Sequence, residues 1–206
     1  MKLKIAILFI LCSLLPRLYA QRDSSATRIF SFVPQYVFIN GVRFDYDRKI
    51  NERSWLQFSV EGFANEKSDV QAAWQKEKNY ELAGLGLGLY YRYYLNDDAA
   101  TNFGTYLATG ISENFFKFNN SNYESNVETT SSTKVWRSGV NLVIGQEYRI
   151  ADRLMLDFYA GMGYRYSNNH YSNKSAETNF RFDDNMFSYG FTGNVLLLGF
   201  RVGYLF

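Results

Sequence analysis

Apolar and polar side chains alternate along most of the chain. Between Gly84 and Tyr93, leucine or tyrosine at every odd position alternates with glycine, tyrosine or arginine at every even one. The same alternation recurs over 154–165 and 195–206. Successive side chains of a β-strand point to opposite faces, so each run has one apolar face and one face of glycine, tyrosine and charge. No segment has the 3.6-residue stripe of an amphipathic helix, and the predicted fold class is all-β.

Eight strands account for this pattern. They are predicted at 28–38, 41–49, 54–63, 78–95, 102–114, 133–150, 154–166 and 190–206. Short polar turns are predicted at 47–53, 96–102 and 151–153, and long loops at 64–77, 115–132 and 167–189. Asn40-Gly41 predicts a two-residue hairpin. Pro34 interrupts the first strand, because proline cannot donate a ladder hydrogen bond.

The direction of the alternation separates a soluble sandwich from a membrane barrel. A sandwich turns its apolar face inward, whereas a lipid-facing barrel turns it outward and keeps small or polar side chains inside. The polar face here carries the glycines and Arg43, Asp45, Glu61, Arg92, Arg137, Glu147, Arg149, Asp157, Arg165 and Arg201. Tyr and Trp near strand ends predict an aromatic girdle at the lipid headgroups (Trp55, Tyr93, Tyr94, Trp136, Tyr148, Tyr204). We therefore predict an antiparallel eight-stranded transmembrane up-and-down β-barrel.

Residues 1–20 have the pattern of a cleaved signal peptide. Lys2 and Lys4 precede the apolar run 5–15, and Ala20 ends a plausible cleavage site. The run is too short for the roughly 20 residues of a spanning helix. A lipoprotein anchor at Cys12 is the alternative, but Leu11 stands where such signals have a small residue. The barrel is then predicted over 21–206.

Charge and cysteine content argue against nucleic-acid binding and against functions that need a thiol. Three of the 22 basic residues and none of the 20 acidic residues lie in 1–20, so the rest of the chain has a net charge of −1. We therefore expect no nucleic-acid partner. Cys12 is the single cysteine, which leaves the mature chain without disulfides, thiol nucleophiles or thiolate metal sites.

The last residues resemble the closing strand of bacterial outer-membrane barrels. In those families alternating aromatics and a terminal Phe are recognised by the barrel assembly machinery, and Tyr204 and Phe206 match that assembly signal. Arg201 stands where a glycine is usual. The layout of 28–206 resembles small barrels of the outer-membrane-protein-A and X type, and 38–46 is similar to barrels of Bacteroidota. The resemblance implies a bacterial outer-membrane location and contact with outer-membrane lipid.

The inward charges are the first candidate site. An unpaired charge in a narrow, partly dry interior is costly, and the planar arginine fork bonds a carboxylate at two points. We expect the six arginines and four carboxylates of the polar face to form an ion-pair plug in the lumen. The alternative is a gated proton or ion path, although the interior of eight strands is just wide enough for side chains to fill.

Catalytic and metal sites have weaker support. His170 is the only histidine, with Ser167, Ser172 and Glu177 nearby in a segment predicted to be a mobile loop. Outer-membrane lipid A palmitoyltransferases and deacylases are small barrels that use a His with a Ser, but no specific nucleophile–base spacing is present here. The clusters 96–98 and 183–185 lack the pattern of a calcium loop. We expect no catalytic residue, no metal site and no cofactor.

Aromatic residues in the long loops admit two interpretations. The sets are Phe115, Phe116, Phe118 and Tyr123, and Phe180, Phe182, Phe187, Tyr189 and Phe191. They extend strands beyond the membrane or form a contact with another protein. The predicted function is a monomeric outer-membrane scaffold that presents surface loops and serves as a subunit of an envelope assembly. The alternatives are a lipid A-modifying enzyme and, third, a narrow ion conductance.

Overall fold

Eight antiparallel strands close into one barrel. The computed structural model describes residues 26–65, 80–95, 103–124, 127–172, 186 and 188–206. The strands are β1 Arg28–Phe32, β2 Gly41–Lys49, β3 Ser54–Asn65, β4 Tyr80–Tyr94, β5 Phe103–Glu124, β6 Val127–Ala151, β7 Leu154–Tyr171 and β8 Gly193–Leu205. Each pairs with its neighbours in sequence, and β8 pairs with β1. The predicted fold class and strand number are confirmed. The predicted leader, 1–20, lies outside the described residues.

None of the helices in the described parts of the chain is long and apolar enough to cross a membrane.

The apolar faces of the strands point outward, as predicted. Large apolar side chains are exposed on the outer face of seven neighbouring strands and form an apolar band (Val42, Phe44, Phe58, Val60, Leu85, Leu87, Ile111, Val140, Leu142, Ile144, Phe158, Met162, Leu196, Leu198). A continuous exposed apolar surface of this kind is the lipid-facing surface of a barrel. Two residues of the predicted girdle are exceptions. Trp55 and Tyr94 point into the lumen, because they share the alternation of the inward residues Gln57 and Arg92.

The first connection is not the predicted two-residue hairpin. Pairing of β1 with β2 ends where the Val33 N–H donates to the Arg43 carbonyl at 3.0 Å. A 3₁₀-helix then spans Pro34–Ile39 and ends at Asn40, whose φ of 55° is left-handed. Proline has no N–H to donate to a ladder, and its fixed φ suits the first turn of a helix. Pro34 therefore ends the strand and begins the helix.

The prediction of a long loop at 115–132 is also wrong, because most of this segment belongs to β5 and β6. The strands β5 and β6 stay paired up to Glu124 and Val127, and β7 continues to Tyr171. Beyond the apolar band both faces of a strand can be polar. A segment rich in Asn, Ser and Thr can therefore continue the strand pairing without showing the apolar alternation that predicts a strand. Strand extension is confirmed for Phe115, Phe116, Phe118 and Tyr123, which lie in β5. Tyr189 and Phe191 precede β8, which begins at Gly193, and Phe180, Phe182 and Phe187 lie outside the described residues.

The two ends of the barrel differ. We call the end with Arg28, Phe206 and the β2–β3 and β6–β7 turns the turn end, and the opposite end the loop end. The seam between β1 and β8 has only four residue pairs, from Ile29↔Leu205 to Phe32↔Val202. The wall is thus least extensively paired along this seam.

Candidate functional site: the barrel lumen

Two buried arginines and two buried aspartates meet in the lumen toward the turn end. Arg92 donates to Asp157 at 2.9 Å and to Asp47 at 3.3 Å. Arg201 donates from Nε to Asp157 at 2.6 Å and from Nη1 to Asp47 at 3.1 Å. All four side chains are inaccessible or almost inaccessible to solvent. Each aspartate is shared by both arginines, so the four form one cyclic cluster.

The cluster extends across the seam to further charges. Arg201 also contacts Asp45 at 3.3 Å. Asp45 accepts a bond from Arg43 Nε at 2.8 Å, and Arg43 reaches Glu61 at 3.3 Å. Glu147 lies 3.7 Å from Arg92. We call these residues the ion-pair layer (Arg43, Asp45, Asp47, Glu61, Arg92, Glu147, Asp157, Arg201).

Neutral side chains donate further hydrogen bonds to the carboxylates of this layer. Tyr106 donates its hydroxyl to Asp157 at 2.9 Å, and Arg92 lies 3.8 Å above the Tyr106 ring. Tyr106 can reach Asp157 on β7 across β6 because its paired residue on β6 is Gly145, where a Cβ would overlap the phenol. Tyr94 donates to Glu147, and Tyr36 donates to Glu61 at 2.9 Å. Donors that satisfy a buried carboxylate lower the cost of its burial, and the carboxylates are held in place.

Three predicted members are not in the layer. Among the described residues, none of Arg137, Arg149 and Arg165 has a carboxylate within ion-pair distance. Arg149 lies beside the irregularity of β6 at the turn end. Arg137 and Arg165 lie closer to the loop end, and Arg137 reaches Glu61 only through Asn114. The prediction that all six arginines are paired is wrong for these three.

The prediction omitted Asp47. The predicted strand 41–49 and the predicted polar turn 47–53 overlap at Asp47; in the structure β2 continues to Lys49 and Asp47 is completely buried. Asp47 has the same odd-numbered spacing as Arg43 and Asp45, so continuing the alternation would have included it. Tyr36, Tyr94 and Tyr106 were likewise not predicted as members of this site, because a tyrosine is compatible with either face of the wall.

Aromatic side chains close the lumen toward the loop end. The buried cluster consists of Phe63, Leu82, Phe116, Phe118, Val135 and Tyr189, with Tyr36, Ile39 and Tyr171 packed against it. The Phe116 and Tyr189 rings are 4.8 Å apart, and Tyr189 donates its hydroxyl to the Ile39 carbonyl at 2.8 Å. The hydrogen bond from Tyr189 connects the segment before β8 with the 3₁₀-helix. We call the cluster the aromatic cap.

A cavity of about 530 Å³ lies between the layer and the cap. Its wall includes Arg137, Asn141, Tyr159, Arg165 and Leu197. Arg137 donates to the Asn114 amide oxygen at 3.1 Å, and Asn114 donates to Glu61 at 2.7 Å. Arg137 therefore reaches the nearest carboxylate only through an amide. We call this space the middle cavity.

The residues considered for catalysis are not assembled into a site. His170 lies in β7 rather than in a loop, exposed and opposite Lys134. Ser167 and Ser172 hydrogen-bond to backbone groups of neighbouring segments. Glu177 lies outside the described residues, as do the clusters 96–98 and 183–185. Within the described ranges no three His, Cys, Asp or Glu side chains are placed to hold a metal ion.

The assembly-signal residues both lie at the turn end. Tyr204 faces outward near the end of β8, where Arg153 donates to its hydroxyl at 3.2 Å. Phe206 exchanges two backbone hydrogen bonds with Arg28, at 3.0 and 3.1 Å. The terminal residue thus forms the last rung of the β1–β8 seam.

Comparison with known proteins gives structural similarity only. No protein-family model and no curated protein sequence matches the chain. The fold is similar to that of a major outer membrane protein from Thermus thermophilus, with a TM-score of 0.50, 13% identity and coverage of 88% of this chain and 100% of that one. Neisserial surface protein A has a TM-score of 0.47, 12% identity and coverage of 88% and 94%. The N-terminal β-barrel domain of Pseudomonas aeruginosa OprF has a TM-score of 0.41, 14% identity and coverage of 88% and 97%.

The fold and the surface together give the location. The Thermus structure shows the fold of a bacterial outer-membrane barrel, and the exposed apolar band requires a lipid environment. The chain is a bacterial outer-membrane β-barrel protein.

Proposed function

We propose that this barrel is a scaffold that presents its loop end to the exterior and does not conduct solutes across the membrane. The observation that carries the proposal is the double closure of the lumen. Within the described ranges, mutually bonded buried charges of the ion-pair layer occupy one level, and buried side chains of the aromatic cap occupy another.

Conductance in planar lipid bilayers tests this proposal. Purified mature protein should give no stepwise current, because an ion would have to break the bonded cluster at Arg92 and Arg201. The matched comparison is Arg201→Met, which removes one charge from the layer, beside Arg149→Met, which leaves the layer intact. Stable steps from the unaltered protein that Arg201→Met abolishes or changes in selectivity would establish the ion path instead.

The enzyme hypothesis has its own test. Acyl transfer needs a base held within hydrogen-bond reach of a nucleophile, and the exposed His170 on β7 has no such partner among the described residues. We expect His170→Ala to leave the lipid A acylation pattern unchanged. Mass spectrometry of lipid A from cells with the protein, the variant or neither measures this. Gain or loss of one acyl chain that depends on His170 would establish an enzyme.

The proposed scaffold role also predicts which proteins the barrel contacts. We propose that the turn end faces the periplasm, that Tyr204 and Phe206 are recognised by the barrel assembly machinery, and that loop-end residues contact other envelope proteins. Co-purification from mild detergent, followed by mass spectrometry, identifies such proteins. The role as an assembly subunit fails if the barrel is recovered alone under conditions that preserve known envelope complexes.

A further inference from the structure

The barrel wall has a side opening on the loop-end side of the seam. β8 spans Gly193–Leu205, but it pairs with β1 only from Val202 to Leu205. Toward the loop end β1 gives way to the 3₁₀-helix, where Gln35 lies over Gly199. Among the described residues, the edge of β8 over 193–200 has no strand partner on this side.

The backbone of this free edge lies at the depth of the apolar band. Arg28 and Phe206 exchange both backbone hydrogen bonds across the seam. Hydrogen-bonded positions recur every second residue in an antiparallel pair. The N–H and C=O groups of Phe200, Leu198 and Leu196 therefore point to the opening. Open sheet edges are not tolerated against lipid tails, so this edge requires a polar partner.

The middle cavity reaches this opening. Its wall includes Leu196 and Leu198 on one side and Phe38 of the 3₁₀-helix on the other. Leu198 and Phe38, at 74% and 72%, have the largest exposed fractions among the large apolar side chains of the described residues. The ion-pair layer lies below the cavity and the aromatic cap lies above it. In the described part of the chain, the side opening is a route that connects the cavity with lipid.

The cavity wall has an excess of positive charge. It holds four arginines and two carboxylates (Arg43, Arg137, Arg165, Arg201, Asp45, Glu61). Arg43 and Arg201 are neutralised in the ion-pair layer, whereas Arg137 and Arg165 have no ion pair within the described part of the chain. The two lie on adjacent strands, since Arg137 pairs with Ser167, two residues from Arg165. Two neighbouring guanidinium groups suit a phosphate or carboxylate, which accepts parallel hydrogen bonds from each.

We propose that the middle cavity binds the anionic headgroup of an acyl-chain lipid that enters sideways from the bilayer through the side opening. Arg137 and Arg165 contact the headgroup, and its oxygens also accept hydrogen bonds from the free N–H groups of β8. The acyl chains remain outside, against Phe38, Leu196 and Leu198. The cavity volume lies within the range of about 300–1,000 Å³ that is usual for ligand sites. This inference adds a ligand to the scaffold and does not depend on whether the loops bind a partner.

Native mass spectrometry of the mature protein released from nanodiscs tests the proposal. One set of nanodiscs contains phosphatidylglycerol mixed equally with phosphatidylcholine, and a second contains phosphatidylcholine alone. We expect one phosphatidylglycerol to be retained per barrel in the first set and no lipid in the second. Glycerol phosphate, which carries the charge without acyl chains, should not displace the retained lipid.

Arg165→Gln is the variant and Arg149→Gln is its control. Both remove an inward arginine without an ion pair in the described ranges, but only Arg165 lines the cavity. Loss of one charge-assisted bond should lower retention about tenfold for Arg165→Gln and leave it unchanged for Arg149→Gln. Leu197→Trp fills the cavity with both arginines present, and it should also lower retention.

The proposal is overturned by three results. They are equal retention of the two lipids, equal behaviour of the two arginine variants, and displacement of the lipid by glycerol phosphate, which would indicate a simple anion site. Folding of each variant is checked separately by the shift of the unheated band in gel electrophoresis. If Arg165→Gln does not fold, Leu197→Trp and the comparison of the two lipids still decide the outcome.

Discussion

The two halves of the lumen accommodate charge in opposite ways. In the ion-pair layer three arginines share five carboxylates through direct contacts, and tyrosine hydroxyls and amides satisfy the remaining acceptors. Toward the loop end, Arg137 and Arg165 line a cavity, and neither has a carboxylate within ion-pair distance among the described residues. The same inward face of the wall thus forms a filled plug at one level and a space suited to a ligand at another. The alternation of apolar and polar residues determines which side chains face inward. The positions of the acidic residues determine whether a given level of the lumen is a filled plug or a ligand-sized space.

The largest effect is expected in the layer. Arg201→Met removes the contacts to Asp45, Asp47 and Asp157 and leaves excess negative charge in a dry interior. Breaking such a buried pair costs about 3–5 kcal/mol. Urea unfolding in detergent micelles, followed by tryptophan fluorescence, measures the free energy of unfolding. Arg149→Met is the control and should change it by less than about 0.5 kcal/mol. Equal midpoints for the two variants would show that the layer does not contribute to stability.

The aromatic cap should respond as an apolar core does. Phe116 is completely buried and packs against Phe63 and Tyr189. We expect Phe116→Ala to lower the free energy of unfolding by about 3 kcal/mol through lost contacts and the cavity left behind. The neighbouring Phe115 is part-buried and packs on Trp136 outside the lumen, so Phe115→Ala is the control with the smaller effect. A larger loss for Phe115→Ala would mean that the cap is not a core.

The smallest effect concerns the bond between the cap and the 3₁₀-helix. Tyr189→Phe removes the hydrogen bond to the Ile39 carbonyl and leaves the ring in place. The expected loss is about 1 kcal/mol. Hydrogen exchange of the helix amides should become faster, whereas Tyr166→Phe on the exposed outer face should change neither quantity. Unaltered exchange in Tyr189→Phe would show that the helix is held by other contacts.

The facing of the strands could be predicted because it depends on local sequence alone. Leu85, Leu87 and Leu89 alternate with glycine, and that pattern settles which side meets lipid. The strand bounds were harder to predict. Outside the lipid, polar residues are compatible with both strand and loop, so the ladder of β5 and β6 beyond residue 115 was not distinguishable from a loop.

The partners within the site could not be predicted. Arg201 and Asp47 are 154 residues apart, and they meet because strand tilt and stagger bring two inward faces to one level. Neither the tilt nor the stagger can be predicted from the sequence of a single strand. Arg137 is predicted in the plug for the same reason. The alternation predicts that its side chain faces inward, but it does not predict how far that side chain lies from the carboxylates.

The short seam also has a consequence for how the chain folds. Seven of the eight strand pairings join neighbours in sequence and can form as hairpins, but closure joins residues such as Ile29 and Leu205 at opposite ends of the chain. The entropy lost on closing so long a loop opposes this step. Four residue pairs offer few backbone bonds against that loss. Arg201 on β8 reaches Asp45 and Asp47 on β2, past the intervening strand. The buried arginine thus adds side-chain bonds across the closure to the few backbone bonds of the seam, and we expect these bonds to oppose reopening of the barrel.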